Sequence, residues 1–176
     1  MVTPEDFKGL YIDPSWSRLE NLLQVARVAR RKYYEENPPD IPTEFKDKIM
    51  AKNGCDLKLV IQKKLSKTDM KGHYARLSIP KGQMRAEFLS EEDQITLQQN
   101  DGIRCKGMEV LLIQPSLEES YILLKKWKSG SSLSYVLSSP WNEVATKNGL
   151  KSDDIIQLWS FKVEHKLCLA LIKLDI

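Results

Sequence analysis

Short apolar runs, each cut off by a turn signal, constrain this chain more than any other feature. Beyond residue 55 they fall at 57–61, 74–79, 110–113, 121–127, 135–137, 155–161 and 167–174. Leucine, β-branched and aromatic residues dominate them, a composition that suits a pleated and half-buried surface. Gln114-Pro115, Ser129-Gly130-Ser131-Ser132 and the polar stretch 162–166 stand between them, and such residues punctuate a chain into hairpins. About seven short strands joined by turns predict a closed or nearly closed β-barrel rather than a βαβ sheet. Two short helices are expected within it. One follows Pro80 across 81–88, and the other follows Ser139-Pro140 through Trp141 and Val144 to Gly149, with proline at the start and glycine past the end. The acidic segment 90–102 ends in the turn signal Asn100-Asp101-Gly102.

The first part of the chain has a different period. Asp13-Pro14 predicts a helix start, and Trp16, Leu19, Leu22, Leu23, Ala26 and Ala29 form a stripe at three- and four-residue spacing, the mark of an amphipathic helix. Asn37-Pro38-Pro39 and Pro42 must end it near Glu36, since proline lacks the backbone donor and clashes with the preceding turn. The expected division is a helical extension with a proline-rich joint over 1–55 and a barrel over 56–176. The stripe must be buried. Packing on its own protein is the first expectation; docking a partner or a second copy is the second. Arg30-Arg31-Lys32 is short for a nuclear-import signal.

Composition removes several classes. A hydrophobic fraction of 41% and a charged fraction of 29% belong to a soluble globular protein. No apolar run approaches the ~20 residues of a membrane helix, and the N-terminus lacks a secretion-signal pattern. Cys55, Cys105 and Cys168 form no CxxC pair, which points to a reducing compartment, nucleus or cytosol. His73 and His165 lie far apart, and glycines are scattered, so neither a metal site nor a phosphate-cradling loop is expected. Glu91-Glu92-Asp93 and Asp153-Asp154 sit in turns, where solvated charges and strand caps are the ordinary roles. No catalytic site, cofactor or small-molecule substrate is predicted.

The charge is local. Residues 62–85 carry seven cations against Asp69, a net +6 in a chain whose total is +3. A concentrated patch draws nucleic acid more effectively than the same charge dispersed. The candidate contacts in the loop between the first two strands are Lys63, Lys64, Ser66, Lys67, Thr68, Lys71, His73, Tyr74 and Arg76. A second loop repeats the ingredients in Lys126, Trp127, Lys128, Ser129, Ser131, Ser132 and Ser134. Cations neutralise phosphates, and hydroxyls fix register or touch base edges. Two such loops leaving the same end of a barrel would grip one duplex.

The run KKLSKTDMKGHYARLSIPKGQM and the later run WKSGSSLSYVLSSPWNEVATKNGLKSDDIIQLWSF resemble the two halves of the plant B3 DNA-binding domain. The similarity covers roughly 57–175. The N-terminal helix, the Pro-Pro joint and the runs LVIQKKL, FLSEE and LWSF resemble a little-characterised plant branch of that family, formerly described as a domain of unknown function. The resemblance implies a seven-stranded open barrel with two short helices, double-stranded DNA held in its major groove, and a nuclear role in transcription. An N-terminal arm would span Lys63 to Arg76 and a C-terminal arm Lys126 to Tyr135, with Lys63, Thr68 and His73 at family positions that meet DNA. Two departures are visible. Asp153 replaces a common glycine, and serines occupy the C-terminal arm where strong binders carry arginine or asparagine. Contact with the DNA backbone is therefore the firmer expectation, and a protein-interaction module that keeps the barrel without base readout is the alternative.

Overall fold

The computed structural model describes residues 3–73, 76–99 and 106–175. By internal contacts the chain divides into a small unit ending at Asp40 and a larger unit, Ile41–Leu174. The small unit holds helix α1, Arg18–Glu36. It begins later than Asp13-Pro14 predicts, because Ser17 and Glu20 form a reciprocal capping box that satisfies the first free backbone N–H groups. Asp13 instead closes a turn, accepting from the backbone N and the Oγ of Ser15 at 2.9 and 2.6 Å.

Seven strands form one sheet in the larger unit: β1 Cys55–Lys64, β2 Leu77–Pro80, β3 Met108–Ile113, β4 Glu119–Ser129, β5 Ser132–Leu137, β6 Ile155–Val163 and β7 Lys166–Leu174. Their order is β1-β6-β7-β3-β4-β5-β2. Neighbours are antiparallel except β3 and β7. The ends of the order, β1 and β2, are not paired with each other, so the barrel is open along one seam. The helices are α2 Thr43–Ala51, α3 Lys67–Met70, α4 Glu91–Gln98 and α5 Trp141–Lys147.

Because side chains alternate across a strand, the sheet has two faces and two apolar clusters. The inner one fills the barrel with residues such as Val60, Leu77, Leu112, Leu124, Trp141, Leu158 and Leu169. The outer one packs Ile41, Phe45 and Ile49 on Ile113, Trp159, Phe161, Cys168 and Ala170. Strands β6 and β7 are covered on both faces, which is why they read as nearly continuous apolar runs. Gln157 lies on the covered outer side of β6 and is fully buried. Its amide is satisfied, donating to Gln62 Oε1 and accepting from Trp159 Nε1, each at 2.9 Å.

Three sequence expectations change. Helix α2 falls within the expected extension over 1–55, yet it packs on the sheet, so the barrel unit begins at Ile41. The segment after Pro80 makes only a 3-10 turn, Lys81–Gln83, while the helix between β2 and β3 is α4, within the stretch read as an acidic turn. The Ser90–Asp93 capping box starts α4, and Asp93 also accepts from Lys162 Nζ at 2.7 Å, tying the helix to β6. Short α3 was not anticipated at all. The turn Asn100-Asp101-Gly102, Cys105 and the first two residues of the run 74–79 lie outside the described residues. Asp153 has φ +75, the left-handed conformation that favours glycine and that aspartate tolerates.

Phe45 is 3% exposed against the outer face. Phe45→Ala is expected to lower unfolding free energy by about 3–5 kcal/mol in urea titration.

Candidate nucleic-acid interface

The loop 65–76 leaves β1 and enters β2, so it crosses the open seam. Its first turn is fixed by a capping box in which Ser66 Oγ accepts from Asp69 N and Asp69 Oδ2 accepts from Ser66 N at 2.8 Å. Asp69 is 2% exposed. Its Oδ2 also accepts from Lys63 Nζ at 2.9 Å, and its Oδ1 accepts from the backbone N of Ser78 at 3.0 Å. Lys63 Nζ donates in turn to the carbonyl of Ser78 at 2.9 Å. One lysine of β1, one aspartate of the loop and both backbone groups of Ser78 in β2 thus make a clasp where the two edge strands lack a ladder. Burial opposes ionisation of Asp69, but the hydrogen bonds from Lys63, Ser78 and Ser66 outweigh it and hold the carboxyl below the ordinary aspartate range.

Helix α5 holds the same loop from below. Trp141 Nε1 donates to the Asp69 carbonyl at 2.7 Å, and Asn142 Nδ2 donates to the Gly72 carbonyl at 3.2 Å. With its backbone fixed, the loop presents Lys67, Thr68, Lys71 and His73 to solvent. Lys63 is different: its side chain is 12% exposed and bound to Asp69, so its charge serves the clasp. Lys64 is exposed and pairs with Asp153 at 3.0 Å. Ser66 is exposed as a residue, but its hydroxyl is held by Asp69 and Thr68. Tyr74 lies outside the described residues.

The second loop is the β4–β5 hairpin, turning at Gly130 with φ +57 and at Ser131. Register places it away from the first. Leu77, at the start of β2, pairs with Leu137 at the end of β5, and Pro80 pairs with Ser134 near the hairpin. The two loops therefore leave opposite ends of β5, not the same end. Six residues of strand separate them by about 17–20 Å.

Between these ends lies an outer strip of sheet that α2 does not cover. Pairing puts Ser78, Val136 and Lys125 in one row, and Pro80, Ser134 and Trp127 in the next. Trp127 is 47% exposed rather than anchored in the core, and the guanidinium of Arg76 stacks 4.1 Å from its ring centroid. This cation–π contact links the end of the first loop to the strand feeding the second. Lys126 turns to the inner side with Tyr135, half-buried, whereas Lys128, Ser129, Ser131 and Ser132 are exposed at the hairpin tip. Asp69, Ser78, Trp141 and Asn142, absent from the predicted contacts, are the groups that set the loop's shape. The Ser66-x-x-Asp69 spacing was the available signal for the first of them.

The sequence model described as B3 domain-containing protein At2g31720-like matches residues 39–175, leaving α1 outside the match. B3 domain-containing protein At2g31420 of Arabidopsis thaliana is 35% identical over 129 residues, covering 70% of this chain and 62% of the relative. Putative B3 domain-containing protein At2g27410 of the same plant is 37% identical over 145 residues, covering 78% of this chain and 56% of the relative. The chain thus spans about six-tenths of the length of these relatives. Among solved structures, an Arabidopsis FUS3–DNA complex and the Arabidopsis thaliana transcription factor LEC2–DNA complex each give a TM-score of 0.45. Their identities are 15% and 18%; the matches cover 66% and 68% of this chain and 96% and 95% of theirs.

Removing Lys63 leaves the Asp69 carboxylate buried without its charged partner, so Lys63→Ala is expected to cost about 2–4 kcal/mol near neutral pH. Asp69 is more acidic folded than unfolded; its contribution is present above the ordinary aspartate pKa and fades as pH falls through the lowered one. The gap between variant and parent should therefore narrow below about pH 4, as read by denaturant unfolding across pH.

Proposed function

We propose that this chain, which belongs to the B3 domain-containing family, binds double-stranded DNA through two arms that enter the major groove. The observation that carries the reading is the set of exposed polar and basic side chains Lys67, Thr68, Lys71 and His73 on a loop fixed by the Asp69 clasp, with Arg76 at its end lying over Trp127 of β4. Lys67, Lys71 and Lys128 would neutralise phosphates, and Thr68, His73 and the hairpin serines would fix register or reach base edges. The arm roots, about 17–20 Å apart along β5, can engage a groove about 12 Å wide from both sides. Arg76, whose guanidinium lies over the Trp127 ring, carries the planar fork that can meet a base edge. The hairpin supplies serines instead of arginine or asparagine, so contact with the backbone carries more of the affinity than base readout.

This is a binding protein rather than an enzyme, working in transcriptional regulation in the nucleus. A second reading concerns α1, whose apolar stripe is exposed at Leu19, Leu22 and Leu23; it serves protein association while the barrel meets DNA.

Fluorescence anisotropy with a randomised duplex pool tests the main reading. Binding should weaken steeply with salt, and Lys67→Ala with Lys71→Ala should reduce the log–log salt slope by about 2. Arg76→Ala should cost about 1–3 kcal/mol and relax any sequence preference. A folded protein that binds no duplex at low salt would refute the reading.

A further inference from the structure

Helix α1 carries a surface that its own unit leaves open. Asn21, Gln24, Val28 and Lys32 form its half-buried side, and Lys32 binds Asp6 there. The other side has Leu19, Leu22, Ala26, Ala29 and Tyr33 at alternating spacings of three and four, the seam of a helix that pairs with another helix. Leu19 and Leu22 are each 66% exposed and Tyr33 is 60% exposed. Ala26 and Ala29 at mid-helix would let a second backbone approach closely.

The edges of the seam identify the occupant. Arg18 and Val25 line one edge, where Lys32 is already paired with Asp6, and Leu23 and Arg30 line the other, with Arg27 just beyond. These edge positions hold no acid. Nearby carboxylates are engaged: Glu20 accepts from the Ser17 backbone at 2.7 Å to cap the helix, and Asp6 holds Lys32. A second copy would set cationic edges against cationic edges, and like charges beside an apolar seam select against self-pairing. A DNA backbone offers nothing to a row of leucines. We propose that α1 docks an amphipathic helix of a partner protein whose apolar face is flanked by glutamate or aspartate. A depression of about 230 Å³ lined by Trp16, Glu20, Leu23, Gln24 and Arg27 takes an apolar side chain at the edge of that contact. This rests on the association reading of α1 and is independent of DNA binding.

The test uses the full chain and two synthetic helical peptides with the same leucine–alanine face, one flanked by glutamates and one by lysines. The acidic peptide should bind at least about tenfold more tightly than the basic one, a difference of about 1.4 kcal/mol. Arg27→Glu with Arg30→Glu should reverse that order, leaving duplex affinity within about twofold. Equal binding of the two peptides, or of neither, would overturn the proposal. So would a concentration-dependent dimer lost on Leu22→Ser, binding to anionic vesicles in place of the peptide, or a lower unfolding temperature of the barrel in Leu22→Ser. Loss of duplex binding by the parent chain would count against the DNA reading and leave this one standing.

Discussion

The architecture depends on a seam that no strand ladder closes. β1 and β2 terminate the sheet order on either side of it, and unpaired strand edges invite association. Here a side-chain clasp stands where a ladder would be. Lys63 projects from β1, Asp69 from the crossing loop, and Ser78 of β2 supplies its N–H and its carbonyl to them. The loop that crosses the seam is the same loop that exposes Lys67 and Lys71, so the closure of the barrel and the shape of its basic loop have one origin. An ion pair this enclosed is a poor source of net stability, since desolvation offsets most of the attraction.

A second division follows from the two-faced sheet. On β6, β7 and β3 the outer face is covered by α2 through Phe45 and Ile49. Toward β4, β5 and β2 the outer face carries Arg76, Ser78, Lys125, Trp127 and Ser134, with Trp127 open to solvent. One face of one sheet is thus part core and part surface. The part that α2 does not cover lies between the first loop and the β4–β5 hairpin.

Most strands were legible because apolar runs bounded by turn residues have few alternatives, and β6 and β7 stood out through burial on both faces. α2 was not, since Pro42 begins it and its only buried side chains are Phe45 and Ile49, too few to make a stripe. α4 shows little amphipathic pattern, burying Asp93 and Leu97 and exposing Ile95; its capping box was its only local signal. In the candidate interface the exposure of Lys67, Thr68, Lys71 and His73 fits a polar loop between two apolar runs, but the contacts that shape the loop were not legible. Lys63 looks like a contact beside Lys64, and only the fold brings Asp69 and Ser78 to it. Trp141 meets Asp69 across 72 residues, a distance no local pattern can encode. The placement of the two loops at opposite ends of β5 follows from strand register, which short runs leave open.

The proposed DNA binding requires that the clasp hold the basic loop in one shape. Asp69→Asn tests it most directly, because the substitution keeps the size of the side chain and makes the basic region more positive. Electrostatic attraction alone would then tighten binding. If the arm is preorganised by the carboxylate, a folded Asp69→Asn protein should bind duplex about tenfold more weakly at neutral pH, the loss coming from an arm that must be ordered on binding. Equal or tighter binding by the folded variant would contradict the account.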